Sequence, residues 1–143
     1  MAESEKVFDE SVQTSVRASI ESRERVVSVL FWFDADLPLR PACVQFIFEK
    51  TSIVVTVRGD DDTVEIHAKT AAPVGFTQHS EYLFHLADDI RGKRMTWVRE
   101  MTNQFGYNDG IQIDFEDDNG AIVGIVMIAA ASCLNISIVS RVS

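Results

Sequence analysis

The stretch KRMTWVREMTNQFGYNDGIQIDFEDDNGAIVGIVMI, residues 93–128, decides the fold because its side chains follow the two-residue period of β-strands. Apolar and polar residues alternate in KRMTWVREM and in IQIDFE, as expected of strands with one buried face. AIVGIVMI has no polar residue on either face and is predicted to be a central strand covered on both sides. Asn119-Gly120, just before it, is the dipeptide most typical of a hairpin turn. The stretch therefore predicts antiparallel strands over 93–101, 111–116 and 121–128.

The interior of the domain is predicted from the same three strands. Trp97, Phe115, Val126 and Ile128 are expected to be buried together, because each belongs to an apolar position of its strand. The N-terminal helix would cover one face of the central strand. A second helix, or another subunit, would cover the opposite face.

The rest of the chain predicts two helices and five more strands. β-branched and aromatic residues, with short polar separators, predict strands over 26–33, 42–49, 52–58, 63–68 and 134–139. A spacing of four predicts an amphipathic helix over residues 4 to about 25, and its apolar stripe is Phe8, Val12, Val16 and Ile20. A second, short helix is predicted over 79–90 and is ended by Gly92. We therefore expect one α+β domain over 1–143, a largely antiparallel sheet of about eight strands with both helices packed on it.

The net charge of −9 restricts the classes of partner. Residues 59–75 carry four acids and one base, and residues 101–143 carry five acids and one base, so these stretches supply −7 of the total. Phosphate binding needs clustered Lys and Arg, which argues against nucleic acid and anionic membrane and leaves a basic protein partner or a cation. The N-terminus has no apolar core of a secretion signal, and no apolar run reaches the length of a membrane span. We expect a soluble, cytoplasmic protein.

No catalytic or metal-binding motif stands out. Cys43 and Cys133 lie in apolar strand-like runs and are expected to be buried thiols in a reducing compartment. The acidic turns at 59–62 and 115–120 lack the alternating order of calcium loops, so we expect solvated hairpin tips. The histidines lack the spacing of a two-histidine metal face. No metal and no cofactor are predicted.

The loop of residues 103–110 is the one candidate ligand site. It brings amides, a phenol and carboxylates close to aromatic rings, as small-molecule sites do. The candidate ligand-binding residues are Glu100, Asn103, Gln104, Tyr107, Asn108 and Asp109. In the alternative interpretation the loop is a structural plug, whose amides bond their own turn while Phe105 and Tyr107 cap the core.

GKRMTWVREMTNQFGYNDGIQIDF (92–115), followed by IAAASCLNI (128–136), resembles a family of small uncharacterised bacterial proteins that is well represented in cyanobacteria. The resemblance implies an α+β domain with no established activity, so it assigns no catalytic residues. The function class expected first is a non-enzymatic acidic interaction domain, for example an immunity-type inhibitor of a basic toxin. The second is a small-molecule binder or enzyme with its site at the 103–110 loop. Self-association into a homo-oligomer is compatible with either.

Overall fold

The structure is a computed structural model that describes residues 14–36, 40–58, 62–68, 76–78, 84–102 and 108–141. These residues form two helices and nine strands, which confirms the predicted α+β class. In chain order the elements are α1 (Thr14–Ser22), β1 (Val26–Phe33), β2 (Cys43–Phe48), β3 (Ser52–Arg58), β4 (Thr63–Ala68), β5 (Thr77–Gln78), α2 (Phe84–Ile90), β6 (Arg94–Thr102), β7 (Asn108–Glu116), β8 (Ile122–Ala130) and β9 (Cys133–Arg141).

The strands are divided between two antiparallel sheets. One has five strands in the order β4-β3-β2-β1-β5, and the other has four in the order β6-β7-β8-β9. Their inner faces pack against each other, with β4 lying against β7 and β8. The rings of Phe46 and Phe115, one from each sheet, have centroids 5.4 Å apart. The core therefore lies between the sheets, with residues of α1 and α2 contributing to it.

Backbone hydrogen bonds join the sheets at opposite ends. Val26 donates to the carbonyl of Lys93, and Gly92 donates to the carbonyl of Val26, both at 2.9 Å. At the other end, Leu134 of β9 donates to the carbonyl of Pro41 at 2.8 Å. These bonds fix how the two sheets are aligned, and so decide which loops come together.

The helices differ from the prediction at their ends. Val16 and Ile20 are buried as the stripe predicts, whereas Phe8 and Val12 lie outside the described residues. The predicted end near residue 25 is wrong, because the helix stops at Ser22 and Arg23 adopts a φ of 56°. α1 packs on β4 and β6, rather than on β8, the strand that it was predicted to cover.

The second helix is confirmed over its described part, Phe84–Ile90, while residues 79–83 lie outside it. Leu86 and Ile90 are fully buried. Gly92 has a φ of 83° and follows the helix directly, as expected of a residue that ends one.

The expectation that β8 is covered on both faces is wrong. Ile125 and Met127 are fully buried on the inner face, where the other sheet packs. On the outer face Val126 is half-buried and Ile128 is 38% exposed, so neither belongs to the core. Of the four residues expected to be buried together, Phe115 is buried and Trp97 is half-buried. The outer neighbours of β8 in register include the polar Gln112 and Ser137, which do not seal that face.

Gly124 has a local reason to interrupt the apolar run of β8. It lies opposite Asp114 of β7, whose carboxylate is buried although it belongs to the outer face. A Cβ at position 124 would come within 2.9 Å of Asp114 Oδ1, closer than real contacts allow. The glycine therefore makes room for this carboxylate, which also accepts a hydrogen bond of 3.1 Å from Gln112 Nε2.

Candidate functional site

The two ends of the sheet pair collect different connections. β1, β3, β6 and β8 finish at one end, where β2, β4, β7 and β9 begin. This end holds the 34–42 connection, Asp62, the paired ends of β6 and β7, and the Ala131-Ser132 turn. The opposite end holds the α1–β1 junction, the β2–β3 turn, the α2–β6 turn and the β7–β8 turn. We call the first the acidic end and the second the arginine end, for reasons given below.

Described carboxylates outnumber cations at the acidic end. The carboxylates there are Asp34, Asp36, Asp62, Glu100 and Asp109, and the arginines there are Arg40 and Arg58. Asp36 is exposed, and the other four are half-buried. They come from four separate segments of the chain, so only the folded protein brings them to one end.

One of these carboxylates has a structural role. Asp62 Oδ1 accepts a hydrogen bond of 2.8 Å from the backbone N–H of Ser132. The β8–β9 turn needs such support, because Ala131 and Ser132 have φ values of 53° and 65°, a region unfavourable for residues with a Cβ. Asp62 itself has a φ of 51°. This bond links the β3–β4 connection of one sheet to the β8–β9 turn of the other.

The cysteines at this end are buried, as the sequence predicts. Burial raises the pKa of the Cys133 thiol; the nearby positive charge of Arg40 opposes that effect, and the carboxylates of Asp34 and Asp62 add to it. A raised pKa keeps the group protonated, so it is a poor nucleophile at neutral pH. The electrostatic influence of Asp34, Arg40 and Asp62 on one thiol also shows that these charges share one neighbourhood.

Two of the candidate ligand-binding residues come together at the acidic end. Glu100 pairs with Ile111 across β6 and β7, and Asp109 lies at the register shift between the Met101–Gly110 and Thr102–Asn108 pairs, two positions before Ile111. Both side chains are half-buried. Asn103, Gln104 and Tyr107 lie outside the described residues, as does the side chain of Asn108. The choice between ligand site and structural plug therefore stays a prediction.

At the arginine end, two arginines bind the exposed carboxylate of Asp118. Asp118 accepts hydrogen bonds from Arg25 Nη2, 3.1 Å to each carboxylate oxygen, and from Arg94 Nη1 at 2.7 Å. These hydrogen bonds, with Arg94 contributing most, lower the pKa of Asp118. Arg25 also donates to the carbonyl of Gly92 at 2.7 Å, so the three charges connect the β7–β8 turn to the α1–β1 and α2–β6 junctions.

The acidic turn at 115–120 is thus more than a solvated tip. Asp117 Oδ1 accepts hydrogen bonds from the backbone N–H groups of Asn119, at 2.8 Å, and Ala121, at 2.9 Å. Of the Asn119-Gly120 pair only Gly120 has a positive φ, 87°, and Asp117 closes the turn through its own backbone bond to Ala121. The hairpin that this dipeptide predicted is confirmed.

Glu24 fastens the α1–β1 junction to the β2–β3 turn. Its Oε1 accepts the backbone N–H groups of Lys50 and Thr51, and its Oε2 accepts the hydroxyls of Ser22 and Thr51 at 3.1 and 3.2 Å. Partial burial acts to raise the pKa of Glu24, but these hydrogen bonds, led by that from Lys50, hold the pKa below its usual value. The ionised form is the one that the folded protein binds.

Replacing Glu24 with glutamine should lower the free energy of unfolding by about 1–3 kcal/mol at pH 7, since an amide oxygen accepts more weakly than a carboxylate and the new NH2 group cannot accept the hydroxyls of Ser22 and Thr51. Because the folded pKa is lowered, this contribution is present above the unfolded pKa of about 4 and is lost as pH falls through the folded value. Urea unfolding at neutral and acidic pH should therefore show the difference between wild type and variant shrinking with acidity. Glu21→Gln, at an exposed α1 residue of the same end, is the matched control and should change little. A Glu24→Gln deficit that stays constant with pH would contradict this account.

A groove of about 190 Å³ lies beside the β2–β3 turn, between Gln45 and Ser52. Its most buried polar group is already engaged: Gln45 Oε1 accepts Trp32 Nε1 at 3.2 Å, and its Nε2 donates to Ser52 Oγ at 3.4 Å. These two hydrogen bonds connect three strands of the sheet, so we assign Gln45 a structural role.

Two kinds of feature are absent from the described residues. They contain no group of three or more His, Cys, Asp and Glu side chains placed to bind a metal ion. No helix among them has the length and apolar character needed to cross a membrane.

A family model described as a family of unknown function (DUF6334) matches residues 13–143. The chain belongs to this family. The match agrees with the resemblance to an uncharacterised family and extends it over both sheets and both helices. Comparison with curated proteins gives no match, and comparison with solved structures gives none.

Proposed function

We propose that this DUF6334 protein is a non-enzymatic interaction domain that binds a basic surface of another protein through its acidic end. The observation that carries the proposal is the difference in charge between the two ends of the domain. Asp118 at the arginine end is held by Arg25 and Arg94. At the acidic end, five described carboxylates lie with two arginines, Arg40 and Arg58. An excess of charge of one sign attracts a partner of the opposite sign.

The architecture suits such a role. Loops at one end of a pair of packed sheets are held by a rigid scaffold, and binding residues are found on such loops more often than elsewhere. Electrostatic complementarity would speed association and select basic partners, and an immunity-type inhibitor of a basic toxin is one concrete version. The proposal includes a cytoplasmic location in a bacterial cell, on the sequence grounds given above, and excludes nucleic acid as the partner.

Charge reversal at the acidic end should abolish this binding. Asp36→Lys combined with Asp109→Lys adds four charges, and Glu21→Lys combined with Asp89→Lys adds the same four at the arginine end. Wild type and both variants would be immobilised and exposed to cell lysate at about 0.01 M and about 0.15 M salt. We expect a basic protein to be retained by wild type and by the arginine-end variant, more strongly at low salt.

The retained protein would then be purified, and its affinity for wild type and for each variant would be measured by calorimetry. The acidic-end variant should bind at least about tenfold more weakly than the arginine-end variant, a difference of about 1.4 kcal/mol. Equal weakening by both variants, or no basic protein retained by wild type, would contradict the proposal.

A small-molecule site at the 103–110 loop is the second candidate function. The observation that favours it is that Glu100 and Asp109, both half-buried, lie at the paired ends of β6 and β7 that border the loop in sequence. Site residues contribute little to folding, whereas plug residues hold the loop. Thermal melting of Asp109→Ala separates these roles: a shift within about 1 °C supports a site, and a drop of several degrees supports a plug. We expect the drop.

A further inference from the structure

Strand β9 is an edge strand with unusual composition. Within the described chain it pairs with β8 on one side, and on the other side its only backbone hydrogen bond is the one that Leu134 donates to the carbonyl of Pro41. Residues 133–140, CLNISIVS, contain neither a charged residue nor proline. Ile138 and Val139 remain 39% and 47% exposed. A long edge with exposed apolar residues and no blocking charge is a template for pairing with another strand.

The other three edges are protected. β4 carries Glu65 and His67 on its outer face and is flanked by α1. β5 is only two residues long. β6 carries Arg94 and Arg99 and has a register shift after Met95. Short strands, charges and bulges are the features by which proteins prevent edge pairing, and β9 lacks them except for Arg141 at its last residue.

The backbone of β9 specifies how a partner strand would pair. Ala130 and Cys133 close a two-residue turn, and Leu134 directs its N–H away from β8 toward Pro41. Because alternate residues of a strand direct their backbone groups to opposite sides, those of Ile136, Ile138 and Ser140 also face outward. Leu134 is already engaged by Pro41. The open edge therefore consists of three residues centred on Ile138.

We infer that a second copy of this chain pairs with β9 in antiparallel orientation about a two-fold axis at Ile138. Ile138 would face Ile138 of the partner subunit, and Ile136 would face Ser140 of the partner subunit, with the symmetric pair completing the ladder. Each facing pair exchanges two hydrogen bonds. This register uses every outward-facing backbone group except those of Leu134, and it joins two four-stranded sheets into one continuous sheet.

A second copy fits this edge better than the basic partner proposed above. Antiparallel pairing of a strand with itself is self-complementary, which is the requirement of a two-fold interface. The edge has no carboxylate to attract a cationic surface. The one charged residue of β9, Arg141, would lie opposite Asn135 of the partner subunit, so like charges do not meet in the ladder although each chain carries −9 overall. The inference is independent of the proposed function, because the acidic end contributes no side chain to the ladder.

Sedimentation velocity tests the dimer directly. We expect wild type to change from one chain to two between about 1 and about 100 µM. Ile138→Lys places like charges opposite each other at the axis and should weaken association at least about 100-fold. Val27→Lys makes the same charge change at a half-exposed valine of the other sheet and should leave association unchanged. Wild type that stays a single chain at the highest concentration, or equal association of both variants, would overturn the inference.

Amide hydrogen exchange of the wild-type protein tests the same inference without a variant, and so remains valid if Ile138→Lys does not fold. The N–H groups of Ile136 and Ile138 face solvent in a single chain and lie inside a sheet in the dimer. Their exchange should slow on the order of 100-fold as the protein concentration rises through the association range. The N–H of Ser137, which faces β8, should change far less. Association without slowing at Ile136 and Ile138 would show that a different surface is used.

Discussion

Replacing Ile125 with aspartate should leave the chain unfolded in buffer, whereas the same replacement at Val126 should leave it folded. Ile125 is fully buried between the sheets, and no cation lies beside it in the β-ladder to pair with a carboxylate there. Burying an unpaired charge, together with the lost packing, costs more than about 5 kcal/mol, comparable to the whole stability of a small domain. Val126 is half-buried on the outer face between Gln112 and Ser137, where a carboxylate stays hydrated.

Far-ultraviolet circular dichroism with thermal melting distinguishes these outcomes. The Val126→Asp variant should melt cooperatively, a few degrees below wild type. The Ile125→Asp variant should show no folding transition. An unfolded Val126→Asp variant together with a folded Ile125→Asp variant would mean that the faces of β8 are exchanged, because a slip by one residue moves every side chain to the opposite face.

β8 also shows what its sequence could not predict. AIVGIVMI identifies a strand, but with apolar residues at every position it carries no information about which alternate set faces the core. β7 differs, since Ile111, Ile113 and Phe115 alternate with polar residues and are buried as the alternation predicts. The sequence predicts that both segments are strands. Which face of β8 is buried, however, depends on the position of the opposite sheet.

Long-range contacts decided the remaining differences. The helix pattern ran on to Arg25, but Arg25 forms a bridge with Arg94 and pairs with Asp118, ninety-three residues away. Nothing local to residues 23–25 signals those partners. The two-residue strand β5 was missed because two residues are too few to show a period.

The sequence shows the charged stretches that form the acidic end, but it does not show that they come together. The sequence treats the acidic turns at 59–62 and 115–120 alike. In the folded protein, Asp118 lies at the arginine end, where two arginines bind it. Asp62 lies at the acidic end with Asp34, Glu100 and Asp109. This separation arises from strand direction and sheet packing, which no motif in the sequence encodes.

The second large effect is expected at Phe46. Its ring is fully buried and lies 5.4 Å from that of Phe115, at an interplanar angle of 36°, so it joins the two sheets at their centre. Phe46→Ala removes most of that contact and leaves a cavity, which should cost about 3–5 kcal/mol. The melting temperature should fall on the order of 10–20 °C.

A double-mutant cycle shows whether the two rings meet as described. Phe46→Leu and Phe115→Leu should each destabilise the protein, and the pair should cost less than the sum of the two, because the second change cannot remove a ring contact already lost. The expected coupling is about 0.5–1.5 kcal/mol, measured by urea unfolding. Phe31→Leu, at a fully buried ring of β1, combined with Val126→Ala on the outer face of β8 in the other sheet, provides a control pair whose effects should add. Strict additivity for Phe46 and Phe115 would mean that the sheets do not face each other through these rings.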